Sequence, residues 1–176
     1  MKRFLYSFTV IVVLLFAIFY GVFKFTQNEI CQTLYITFLT FSYHCVMRLI
    51  VGLGVDKIFK SRFDYNAKWF KPKSFEKKLY GFLKVKKWKS HILAWSPESF
   101  ATKHHSFVEI AQAMCQAEIV HEVIVVLSFV PILFSIEYGV PAVFIITSII
   151  AATVDSVFVI VQRYNRPRIV KLINKR

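Results

Sequence analysis

The stretch "AEIVHE", residues 117–122, places Glu118, His121 and Glu122 within two helical turns of one another. Spacings of three and four residues put all three on one broad helical face. A carboxylate one turn from an imidazole is the ingredient set for general-base activation of a hydroxyl. The carboxylate orients the ring and stabilises the imidazolium, while the ring takes the proton of an attacking alcohol. The same E-x-x-H spacing is half of the ligand set of helical di-iron proteins. A metal-dependent lipid-modifying enzyme using His44, Glu118, His121 and Asp155 is therefore the alternative chemistry. Five histidines in the whole chain are few for an oxygenase built on clustered His ligands.

Two further segments supply polar groups of the right kind. "SYHCVMR" sets His44 and Arg48 one turn apart, and "VDSVFVIVQRYNRPR" sets Asp155 about two turns before Gln162 and Arg163. Arg163 and Arg166 suit a phosphate or pyrophosphate, as in a coenzyme A ester or a lipid head group. Arg48 or Gln162 could donate to a developing oxyanion. No Gly-rich phosphate loop, G-x-S-x-G elbow or H-E-x-x-H zinc motif is present. Cys31, Cys45 and Cys115 lie apart without CxxC spacing and read as packing residues rather than disulfides or zinc ligands. On the hydroxyl-activating reading no metal and no cofactor is called for beyond a co-substrate carrying a reactive ester, such as a coenzyme A ester.

The elements that must position these residues follow from composition. The 176-residue chain is 56% hydrophobic and 17% aromatic, with nineteen Phe and a mean hydropathy of +0.53. A soluble core of this size cannot bury so much apolar surface. Segments 4–23, 30–53, 117–136 and 140–161 each approach the ~20 residues that a bilayer crossing needs. The predicted fold is a single all-α integral membrane domain with four transmembrane helices. The first span is too long, and lacks the cleavage site, to be a signal peptide.

The net charge of +13 is unevenly spread. Thirteen Lys/Arg against five Asp/Glu fall between Asp56 and Cys115, and six cations with no acid fall in the tail 163–176. The two short connections, "KFTQNE" and "IEYG", carry one cation between them. The positive-inside rule then predicts a multi-pass cell-membrane protein with both termini and residues 56–115 cytoplasmic. Anionic leaflet lipids, not nucleic acid, explain the basic balance.

Within the middle segment, "KSFEKKLYGFLKVKKWKSHIL" places Phe75, Leu79, Phe82, Leu83 and Trp88 near one helical face with Lys on the other. Such a basic amphipathic segment belongs in the headgroup layer. "WSPESF" offers Ser96, Pro97 and Glu98 as a turn or helix start, and "HSFVE" offers Ser106 and Glu109 as a capping box. His91, His104 and His105 fall outside the spans. A helix from Phe107 to Pro131 would enter the membrane near Ala117, leaving His121 only ~5–8 Å deep at 1.5 Å per residue.

Spans two, three and four thus bring His44, Arg48, Glu118, His121, Glu122, Asp155, Gln162 and Arg163 to a common depth. Intramembrane ionisable groups usually face the bundle interior and pair, so a polar cavity open to the cytoplasmic leaflet is expected. The blander readings are that Arg48 and Arg163 snorkel, that Asp155 merely neutralises one of them, and that the histidines bridge helices. A non-enzymatic lipid-binding or assembly subunit would need no more than that.

"KVKKWK", "AEIVHE", "FVPILF" and above all "QRYNRPR" carry a family likeness. From Leu83 to Leu172 the chain resembles the glycosyl-4,4'-diaponeurosporenoate acyltransferases, small bacterial membrane proteins of carotenoid pathways. The resemblance implies transfer of a fatty acyl group from an activated donor to a sugar hydroxyl of a glycosylated carotenoid or another glycolipid. Glu118 and His121, with Gln162, Arg163, Tyr164, Asn165, Arg166 and Pro167, carry over onto the motifs of that family, while their roles come from the site chemistry argued above. His44, Arg48, Glu122 and Asp155 rest on the depth argument alone. The partners expected are membrane lipid, the acyl donor and the glycosylated acceptor.

Overall fold

A computed structural model describes residues 2–92, 100 and 105–175, so Ser96, Pro97, Glu98 and His104 lie outside the described residues. Helices dominate, and no strand occurs among the described residues. In chain order they are α1 (Lys2–Thr26), α2 (Glu29–Phe59), α3 (Glu76–Phe82), α4 (Val85–Trp88), α5 (Phe107–Leu127), α6 (Ser135–Tyr138) and α7 (Pro141–Ile173). Short 3-10 turns add Lys68–Phe70, Lys89–His91 and Val130–Phe134. Four segments are long and apolar enough to cross a membrane: Arg3–Thr26, Glu29–Phe59, Phe107–Tyr138 and Pro141–Ile173. These exceed the spans read from hydropathy alone, because α2 and α7 continue helically into their polar ends.

Local chemistry sets the boundaries. Asn28 caps α2, its side-chain oxygen accepting from the Ile30 amide at 2.8 Å. The capping box at the start of α5 is present in full. Glu109 accepts from the Ser106 amide at 2.7 Å, and the Glu109 amide donates back to Ser106 Oγ at 3.3 Å. Gly139, at φ 71°, closes α6 in the left-handed conformation that a Cβ disfavours, and Pro141 then opens α7.

The chain forms two compact units, Met1–Gly52 with Val123–Asp155 and Leu53–Glu122 with Ser156–Arg176. In the first, Tyr35, Ile36 and Phe144 form a buried cluster against Phe16, Phe19, Phe23 and Val143. Phe19 stacks on Phe38 with centroids 5.4 Å apart, and Phe23 meets Tyr35 at 5.1 Å. Along α1 only Thr9 and Val12 are buried. Apart from the partly buried Phe16, Phe19 and Phe23, much of that helix presents Phe, Val, Ile and Leu outward, which water would penalise and lipid would not. In the second unit, Phe59, Phe63 and Phe70 make a run of ring contacts at 4.8 and 6.1 Å. Val85, Ile110, Ala111 and Cys115 are buried there.

The basic middle segment is helical in pieces rather than continuous. Lys84 takes a left-handed conformation, φ 51°, between α3 and α4. The face predicted from spacing is therefore divided. Phe75, which caps α3, and Leu79 and Phe82 within it are exposed together, while Leu83 and Trp88 are half-buried, with Trp88 Nε1 donating to the Leu83 carbonyl at 2.8 Å. The buried side of α3 is polar: it carries Glu76.

Candidate active site

The second unit contains a buried ionic network built on "QRYNRPR". This string is helical, lying inside α7 with Pro167 in its interior. Proline at 167 has no N–H to bond the Arg163 carbonyl, but its neighbours on the inward face are tied down by side chains. Arg163 is 8% exposed and Arg166 is 2% exposed. Both reach Glu118 of α5, which is 0% exposed. Arg163 Nη1 donates to Glu118 Oε1 at 2.5 Å, and Arg166 Nη1 donates to Glu118 Oε2.

A second buried carboxylate completes the charge balance. Glu76 of α3 accepts from Arg163 Nε at 2.8 Å and from Nη2 at 2.6 Å. Further guanidinium donors reach main-chain carbonyls. Arg163 reaches Trp69 O and Lys71 O, each at 3.3 Å, and Arg166 reaches Phe70 O at 2.6 Å. Arg166 also lies over the Phe70 ring, 4.8 Å from its centroid. Two guanidinium groups thus face two carboxylates and three carbonyls, the condition under which buried charge is tolerable. Glu122 sits at the margin, 4.0 Å from Arg163 Nη1, and accepts from Trp69 Nε1 at 2.9 Å.

The outward residues of the same motif are engaged differently. Asn165 Oδ1 accepts from Lys89 Nζ at 2.6 Å, and Tyr164 OH accepts from Arg168 Nη2 at 2.7 Å. Tyr80 meets Tyr164 edge-on at 5.4 Å and donates its hydroxyl to Glu76 Oε2 at 3.0 Å. Burial first, then that carboxylate, holds the Tyr80 phenol above its ordinary range. Burial, with Arg168 nearby, lowers the Lys89 ammonium from its ordinary range. Gln162 is half-buried and forms no side-chain hydrogen bond among the described residues.

His121 is half-buried and lies flat on Phe158 of α7, with centroids 4.6 Å apart and ring planes 11° from parallel. Phe158 and Gln162 are one helical turn apart, so the Gln162 amide lies one turn further along α7 than the ring under the imidazole. Sequence spacing makes Glu118 the orienting partner of His121, yet both Glu118 oxygens are occupied by arginine.

The first unit contains its own polar group. Arg48 of α2 pairs with Asp155 of α7, which is 2% exposed, and also reaches the Ala151 carbonyl at 3.5 Å. His44 is buried, and neither of its ring nitrogens has a hydrogen-bond partner among the described residues. Its ring meets Tyr43 edge-on at 5.5 Å, and Tyr43 OH donates to the Leu127 carbonyl at 2.9 Å. The residues expected at one depth therefore fall into two groups. His44, Arg48 and Asp155 belong to the first unit; Glu118, His121, Glu122, Gln162, Arg163, Tyr164, Asn165 and Arg166 belong to the second. Among the described residues no group of three His, Cys, Asp or Glu is placed to hold a metal ion.

Spacing did not bring out Glu76 or the carbonyls of 69–71. A signal for Glu76 existed: it is the single acid among seven lysines between Lys71 and Lys87.

Residues 66–175 match the model of a family described as glycosyl-4,4'-diaponeurosporenoate acyltransferase. That match takes in the entire ionic network, His121 and Phe158. No curated protein and no solved structure matches the chain.

Proposed function

The chain belongs to the glycosyl-4,4'-diaponeurosporenoate acyltransferase family, and we propose that it moves a fatty acyl group from an activated thioester to a sugar hydroxyl of a glycosylated carotenoid at the cytoplasmic face of the cell membrane. Its membership makes it an acyltransferase. The acceptor, donor and membrane face are our reading, supported by four apolar helices and by the cation-rich segments between and after them.

One observation carries the assignment of roles. In the second unit the guanidinium groups of Arg163 and Arg166 and the carboxylates of Glu76 and Glu118 neutralise one another out of solvent. His121, by contrast, remains partly accessible on a rigid aromatic support. His121 takes the proton of the sugar hydroxyl as its oxygen attacks the thioester carbonyl. The Gln162 amide donates to the oxyanion that forms. The oxyanion then collapses to the ester carbonyl as the C–S bond breaks, and His121 gives the proton to the departing thiolate. Phe158 positions the ring. Glu118, Glu76, Arg163 and Arg166 lock the helices that present it.

A second reading has a specific observation in its favour. His44 is buried with neither nitrogen paired among the described residues, which suits a base for a hydroxyl held deeper in the membrane. The two are separated by purified chain in nanodiscs, given an acyl thioester and a glycosylated carotenoid, with thiol release and acylated product both followed. His121→Ala is expected to lower turnover at least ~100-fold, the lower end of what a positioned base supplies, with the unfolding midpoint unchanged. Full turnover in His121→Ala, with loss in His44→Ala, would move the base to the first unit.

A further inference from the structure

We propose that a basic double hollow formed by α3, α4 and the last turns of α7 holds the phosphate groups of the acyl donor, and that the donor is a phosphate-rich carrier thioester of the coenzyme A type. The inference rests on the acyl-transfer reading and adds a donor site that abuts the ionic network at Glu76 and Arg163.

The first hollow, of about 390 Å³, has Tyr80 and Tyr164 in its lining and Lys77, Lys84, Lys86 and Lys87 around it. The second, of about 350 Å³, shares Lys77, Tyr80 and Tyr164 and adds Lys73, Arg168 and Lys171. Both fall within the size range of small-molecule sites. Besides Arg163, which is paired with Glu76, seven cations therefore border two adjoining hollows. The only acid in either lining is Glu76. It is buried, and its charge is committed to Arg163 while Tyr80 caps its second oxygen. An ordinary solvated surface of this size would intersperse carboxylates. Among the described residues no further acid lines either hollow to offset the rim.

One of the cations is held rather than loose. Arg168 lies 4.2 Å from the Tyr164 ring centroid and donates to its hydroxyl at 2.7 Å. Lys84 occupies a left-handed position, φ 51°, which non-glycine residues adopt only at a cost. The side chain gained there is a fourth ammonium at the mouth of the first hollow. Lysines act on phosphate as point charges and need no planar match, so a flexible polyphosphate is a better partner than a single carboxylate.

The far side of α3 indicates where the rest of the donor goes. Phe75, Leu79 and Phe82 stand out from it, Phe82 being 84% exposed. One short helix thus has cations beside its polar face and three apolar side chains on the other. A carrier thioester has the same division: a polyanionic head for the hollow and an acyl chain for lipid. An anionic phospholipid shares the phosphate chemistry but offers one phosphate to seven cations.

The test uses the full chain in nanodiscs of uncharged phosphatidylcholine. Binding of coenzyme A, dephospho-coenzyme A and phosphate-free pantetheine is measured for wild type and for the Lys84→Gln/Lys87→Gln double variant. Coenzyme A is expected to bind tightest and pantetheine not measurably, with affinity falling as salt rises. The double variant should weaken coenzyme A about tenfold and raise the thioester KM by a similar factor. Equal binding of coenzyme A and pantetheine, or unchanged affinity in the double variant, would overturn the proposal. So would loss of binding to phosphatidylglycerol vesicles with coenzyme A affinity intact, which would make the hollow a lipid-contact patch. Acyl transfer is scored separately: product formed normally by the double variant removes this donor site and leaves the acyltransferase reading standing.

Discussion

Glu118→Gln separates a structural carboxylate from a catalytic one. The side chain is wholly buried, and each oxygen accepts from a different arginine. With Arg163 and Arg166 facing Glu76 and Glu118, the buried charges cancel. Glutamine keeps the shape but leaves one uncompensated positive charge and turns an amide N–H toward a guanidinium. Breaking one partner out of a buried ion pair costs about 3–5 kcal/mol. For a chain of this length, each kcal/mol moves the midpoint by ~2–4 °C, so the loss should be roughly 6–20 °C. Thermal unfolding of the detergent-purified protein reads this directly. Adding Arg166→Met to Glu118→Gln restores the charge balance and should recover a substantial part of the loss. If Glu118→Gln melts like wild type but has lost turnover, the carboxylate acts on His121 or substrate and the structural account of the network is wrong.

Other perturbations test separate parts of the account. Arg48→Met removes the partner of buried Asp155 in the first unit and should cost about 3–5 kcal/mol. Arg48→Met/Asp155→Asn should fall short of the sum of its single variants, and strict additivity of melting shifts would contradict the pairing. Ser106→Ala deletes the capping oxygen of α5 and should cost about 1 kcal/mol, or ~2–4 °C in the midpoint. An unchanged midpoint there would mean that the α5 terminus is frayed.

The spanning helices were legible because hydropathy is a local property. A run of twenty apolar residues identifies itself, and so does the Ser106–Glu109 box, whose partners are three residues apart. Depth alone left Asp155 to neutralise either Arg48 or Arg163, and only the structure assigns it to Arg48. What the spacing of Glu118 and His121 could not reveal is competition. Two arginines 45 and 48 residues away reach the same carboxylate, one on each oxygen, and these charge-assisted bonds displace an imidazole from it. The break at Lys84 was also invisible to periodicity, because lysine rarely adopts a left-handed backbone. As a result Phe75, Leu79 and Phe82 share a face that Leu83 and Trp88 do not. The single acid inside a lysine run was the clue to Glu76: an isolated opposite charge in such a run is expected to have a buried partner.

The central claim, acyl transfer to a glycosylated carotenoid with His121 as base, is tested most directly by mass spectrometry of total lipid extracts. Native-host cells lacking the protein, expressing it, or expressing folded, membrane-inserted His121→Ala are compared. The account predicts a glycosylated carotenoid heavier by one fatty acyl group in the wild-type extract alone. The same species at equal abundance with His121→Ala, or three identical extracts, would contradict it.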